Sequence, residues 1–85
     1  MGTAAHHIVA GGSKYAKETR MIFAKFKIGI NDAANGVFLD TAKHLGLHTK
    51  EYYGKVHRAL EKTTTREAVI DTLNTIAKEL MEGTF

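Results

Sequence analysis

The stretch TAAHHIVAGGS, residues 3–13, narrows what this chain can fold into more than any other. An apolar, β-branched run stopped by Gly11 and Gly12 reads as a short strand over AAHHIVA, residues 4–10. Successive side chains of a strand face opposite sides, so His6 and His7 cannot both enter a core. The two imidazoles are expected to have two different jobs.

Helical patterning dominates the remainder. Ser13 is placed to cap a helix over SKYAKETRMIFAKFK, in which Tyr15, Ile22, Phe23 and Phe26 recur at helical spacing, with its end expected near Lys27 or Gly29. In GINDAANGVFLD, Asn35-Gly36 is a turn signal leading into a second short strand at Val37 to Leu39. TAKHLGLH reads as irregular, because Gly46 interrupts any helix there. A helix starting near Thr49 carries Tyr52, Tyr53, Val56, Ala59 and Leu60 on one stripe, with Gly54 inside it at a cost of about 1 kcal/mol relative to Ala. Thr64 and Glu67 form a capping-box pattern ahead of a last helix from Thr65 to Glu82. That helix sets Val69, Leu73, Ile76 and Leu80 on one face with Ile70, Ala77 and Met81 beside them, and Gly83 stands at its C-cap. This order describes an α+β chain, mostly helical, whose two short antiparallel strands pair across a helical insertion.

At 85 residues the chain is expected to form a single domain over 1–85, near the size at which a core alone suffices and a bound metal would add stability. Without cysteine, disulfides and thiolate sites are excluded, so any metal must be held by histidine, carboxylate or carbonyl groups. No apolar run approaches the roughly 18–20 residues of a membrane span, and the start lacks the pattern of a secretory signal. Met1 stands directly before the functional strand, which suggests a segment cut from a longer chain. Residues 1–62 carry ten Lys and Arg against five Asp and Glu, while residues 63–85 carry two against four. Every histidine lies in the basic part, and a positive field around histidines suits an anionic substrate such as nucleic acid.

His44 and His48 have i, i+4 spacing, which places two imidazoles on one side of a helix, although Gly46 between them weakens that geometry. One histidine of the His6-His7 pair together with these two would give three neutral nitrogen ligands with positions left open, as in catalytic metal sites. The other histidine of the pair would then be free to act as a base, since a free imidazole titrates near pH ~6.5. Lys14, Arg20, Lys50, Lys55 and Arg58 flank these segments and are candidates for phosphate contacts. His57, inside a helix, is expected to be structural or to face nucleic acid. Tyr52 and Tyr53 are expected to pack, with either hydroxyl able to support a ligand.

AHHIV, NGVFL and HLGLHTKEYYGKV, in that order and spanning Ala5 to Leu60, resemble the AHH family of nuclease toxins. That family is a branch of the HNH/endonuclease VII superfamily found as C-terminal domains of bacterial polymorphic toxins. The resemblance implies a ββα-metal fold, in which two short strands and a helix grip one divalent cation (Mg²⁺, Zn²⁺, Ni²⁺ or Mn²⁺), with further helices in the N-terminal half and at the C-terminus. It assigns His6 as metal ligand, His7 as general base, Asn35 as the brace of the loop holding the base, and His48 with His44 as completing the metal site. It implies hydrolysis of DNA with little sequence specificity, the cation stabilising the leaving 3′ oxygen. It further implies delivery into a target cell, an acidic immunity protein as partner, and a monomer when free. An RNase of the same architecture and a non-catalytic nucleic-acid-binding module with a structural ion are the alternatives, with a protein-interaction domain as a third class. Ala10 and Asp40 stand where many relatives carry proline.

Overall fold

Alternation in the first strand sends His6 inward and His7 outward, and the rest of the architecture is built around that division. The computed structural model describes residues 2–47 and 49–85, without the Leu45 side chain. The chain runs β1 (Thr3–His7), α1 (Lys17–Lys25), β2 (Gly36–Asp40), α2 (Thr41–Gly46), α3 (Lys50–Leu60) and α4 (Arg66–Glu82), with single 3₁₀ turns at Lys14–Ala16 and Ala33–Asn35. β1 and β2 form an antiparallel pair in which Thr3 faces Asp40, His6 faces Val37 and His7 faces Gly36. Val37 and Leu39 alternate inward with His6, and they join one buried cluster with Ile8 and Val9.

α3 and α4 close the inner side of this ribbon. Tyr52, Tyr53, Val56 and Leu60 are the buried stripe of α3, and Val69, Leu73, Ile76 and Leu80 that of α4, at the helical spacing the sequence carries. Full burial contributes about 1.5–3 kcal/mol per side chain, so each stripe supplies several kcal/mol before chain entropy is set against it. Among the described residues, no helix is long and apolar enough to cross a membrane.

Local chemistry shifts several boundaries. The first strand ends at His7, short of Ala10, because Ile8 and Val9 turn into the core and bond to Asn35. Ser13 caps a 3₁₀ turn, accepting from the Tyr15 N–H, so α1 starts only at Lys17 and leaves Tyr15 about half exposed, off the apolar stripe. α1 stops in a Schellman motif, with the Lys27 N–H on the Ala24 carbonyl and the Ile28 N–H on the Phe23 carbonyl, and it is Lys27, at φ 57°, that takes the left-handed position. α4 stops in the same way on Gly83, at φ 77°.

The expected turn at Asn35-Gly36 needs correction. Asp32 caps a 3₁₀ turn ending at Asn35, and Gly36 has extended backbone at φ −114° that any residue could adopt. The expected Thr64–Glu67 capping box does not form: Thr65 is the N-cap and accepts from the Ala68 N–H, and with alanine at the third helical position there is no reciprocal side-chain bond. TAKHLGLH is not irregular throughout. Asp40 accepts from the Ala42 N–H and caps α2, so His44 sits on a short helix of its own and Gly46 ends that helix instead of preventing it.

Candidate nuclease site

Asn35 organises the chain around the two histidines. Its side chain, 0% exposed, accepts from the Val9 N–H at 2.8 Å and donates to the carbonyls of Val9 at 3.0 Å and Ile30 at 2.8 Å. Its backbone carbonyl accepts from the Ile8 N–H at 2.8 Å. Together these bonds continue the pairing of the two strands past the end of β1 and lock the segment that follows His7.

On the inner side, His6 is 1% exposed and both its ring nitrogens have partners. Nδ1 lies 3.0 Å from Nδ1 of His44, and Nε2 lies 2.8 Å from the Tyr52 hydroxyl, which in turn donates to the Ile8 carbonyl at 3.0 Å. Burial, with Tyr53 beside it as the smaller cause, pushes the Tyr52 hydroxyl well above the usual phenol range, so it remains a donor. Burial also raises Tyr53, partly offset by its hydrogen bond with Ser13. No buried side-chain polar atom among the described residues lacks a partner.

On the outer side, His7 is exposed and its Nε2 donates to Oδ1 of Asn31 at 2.9 Å. A neutral imidazole carries a single N–H, so this bond leaves the Nδ1 lone pair of His7 to accept a proton. Asn31 precedes the capped turn that ends at Asn35, and the same loop thus touches His7 through one asparagine and anchors its strand through another.

The spacing of His6 and His44 suits two nitrogen ligands of one divalent cation. Two ligands on one tetrahedral ion at about 2.0–2.1 Å each stand roughly 3.3 Å apart, close to the 3.0 Å between the Nδ1 atoms of His6 and His44. His48 lies outside the described residues, and among the described residues no group of three or more His, Asp or Glu side chains could hold a metal ion. His57 belongs elsewhere. Its Nδ1 is 3.0 Å from the buried Thr19 hydroxyl and its Nε2 is 3.7 Å from Glu18 and 3.5 Å from Glu61, so it joins α1 to α3.

The candidate phosphate-binding cations divide. Arg20 donates through Nη1 to the carbonyls of Ala10 at 2.8 Å and Ser13 at 2.7 Å, bracing the glycine loop. The Lys14 ammonium lies 5.3 Å from the Tyr15 ring, and that of Lys55 lies 4.4 Å from the Phe85 ring. Lys50 and Arg58 line an open groove of about 460 Å³ with Tyr15, Glu51 and Gly54. At 100° per residue, positions 50, 54 and 58 lie on the side of α3 opposite Tyr52. This groove is therefore separate from the paired histidines.

A two-stranded antiparallel sheet with several helices, carrying adjacent histidines of opposite facing, defines a small α+β nuclease fold of the ββα type. Residues 1–80 match the family described as AHH, a nuclease family of the HNH/ENDO VII superfamily with conserved AHH, and the chain belongs to that family. Ala5, His6 and His7 spell the triplet. Comparisons with curated proteins and with solved structures find no match. Asn31 escaped sequence reasoning, since a lone asparagine in a polar loop carries no pattern. Tyr52 was visible only as a packing residue, with a supporting role left open.

Proposed function

We propose that this chain is a metal-dependent endonuclease domain, spanning residues 1–85, that hydrolyses phosphodiester bonds of DNA with little sequence specificity. The observation that carries the reading is the opposite facing of His6 and His7: one ring nitrogen against His44 inside, one ring tied to Asn31 outside. His6, His44 and His48 would hold one divalent cation, for which Zn²⁺ and Ni²⁺ suit three imidazoles best and Mg²⁺ and Mn²⁺ are the other candidates. When bound, the cation supplies Lewis-acid stabilisation of the charge that develops on the leaving oxygen.

His7 does the proton transfer. Its Nδ1 takes a proton from water as the water oxygen bonds to phosphorus and the bond to the leaving oxygen breaks, while Asn31 holds the ring through Nε2. Asn35 keeps the strand end in place beneath it. Lys50 and Arg58, with Lys14, Arg20 and Lys55 as weaker candidates because they already contact the protein, would meet backbone phosphates. The same reading makes the domain a delivered bacterial toxin, monomeric when free and restrained by an acidic immunity protein.

Plasmid cleavage with each cation tests this reading. EDTA and His7→Ala should each abolish nicking, general-base loss alone lowering the rate about 10²- to 10⁴-fold. Undiminished cleavage by His7→Ala would refute the base assignment. Faster digestion of structured RNA than of duplex DNA would make the domain an RNase, and salt-sensitive binding without turnover would make it a binding module.

A further inference from the structure

The Tyr52 hydroxyl has one proton and, among the described residues, two polar hydrogen-bond neighbours. The Ile8 carbonyl, at 3.0 Å, can only accept, so the proton lies on that side. Toward Nε2 of His6, at 2.8 Å, the hydroxyl oxygen is then an acceptor, and the ring proton of His6 must sit on Nε2. With the proton turned toward His6 instead, the hydroxyl and carbonyl oxygens would face each other in a buried space with no hydrogen between them. Nε2–H leaves the lone pair of a neutral His6 on Nδ1, the atom that faces His44.

We propose that Tyr52 is a positioning residue that holds His6 in the Nε2–H tautomer and so commits its Nδ1 to the cation, an inference that rests on reading His6 as a ligand. In the metal-free chain His44 donates its own Nδ1–H to that lone pair, so cation binding replaces a hydrogen bond between two histidines. Metal-bound histidines usually donate their second ring N–H to a carboxylate, a carbonyl or water. Here a tyrosine is made into the acceptor by the Ile8 carbonyl, two residues beyond the ligand it serves. One hydroxyl therefore fixes both the ring and the main chain that follows it.

Long-range ¹⁵N–¹H spectra of the metal-free protein, with labelled histidine at mildly alkaline pH, read the tautomer directly. The expected pattern for His6 is a protonated Nε2 and an unprotonated Nδ1, retained in His44→Ala because the Tyr52 hydroxyl, held by the Ile8 carbonyl, still accepts from Nε2. Tyr52→Phe should give a mixture of tautomers and weaken Zn²⁺ binding, measured by competition titration, about 10- to 100-fold. A wild-type His6 protonated on Nδ1 overturns the proposal without need of any variant, as does Zn²⁺ affinity in folded Tyr52→Phe within twofold of wild type. A wild-type chain that keeps the Nε2–H pattern yet takes up no Zn²⁺ overturns the commitment to a cation, and it identifies the ligand reading of His6 as the part that failed.

Discussion

Replacing Asn35 by alanine should separate the scaffold of the site from its chemistry. Two buried groups, the Val9 N–H and the Val9 carbonyl, and one partly buried group, the Ile30 carbonyl, lose their partner. Each unsatisfied buried group costs about 1–3 kcal/mol, and partial relaxation brings the expected total to roughly 3–5 kcal/mol. A domain of this size has on the order of 4–13 kcal/mol of stability, so the variant would stand near its unfolding threshold. Tm should fall by roughly 12–40 °C. Urea unfolding followed by circular dichroism reads the change as a lower midpoint at unchanged slope. Asn31→Ala is the control: its bond to His7 is exposed, so stability should move by less than about 0.5 kcal/mol while kcat falls. A loss below about 1 kcal/mol in Asn35→Ala would refute the bracing role.

Three further outcomes are expected. Lys27→Gly should raise stability by about 0.5–1 kcal/mol in urea, since Lys27 holds the left-handed position at φ 57° that glycine adopts without strain; an unchanged midpoint would contradict this. Because the Tyr52 pKa is raised in the folded state, its contribution is complete below the ordinary value of 10.0 and is lost as pH rises above it, by up to about 1.4 kcal/mol per pH unit. The Tm of wild type should accordingly decline more steeply than that of Tyr52→Phe in alkaline buffers, and parallel curves would refute the burial effect. Lys50→Ala and Arg58→Ala should each reduce the slope of log binding constant against log salt by about one for DNA; unchanged slopes would remove the groove from the interface.

Periodicity made the framework legible. The stripes of α3 and α4 follow from apolar residues three or four apart, and the opposite facing of His6 and His7 from the two-residue period of a strand, both of which burial enforces. Boundaries were less legible where a single side chain decides them. Thr65 caps in place of its neighbour Thr64, and Asp40 starts a helix that Gly46 was expected to forbid. Lys27 stands in a position where glycine is the usual signal. Within the site, local pattern alone makes Asn35 a turn residue, because Asn-Gly normally marks one, and only the family resemblance makes it a brace. Its burial depends on the amide finding partners at Val9 and Ile30, contacts that no local pattern encodes. Asn31 and the hydrogen bonds of Tyr52 were hidden for the same reason.

The two strands of the ribbon are separated by residues 8–35, and His6 meets Tyr52 from 46 positions away. Closing such long loops precedes any reward from the contacts they enable, so ribbon, loop lock and histidine pair must arrive together. A partly ordered chain would possess all the reactive side chains and none of the chemistry. Nuclease activity in this family member is thus a property of the finished fold, and an extended chain would be inactive until the last long-range closure.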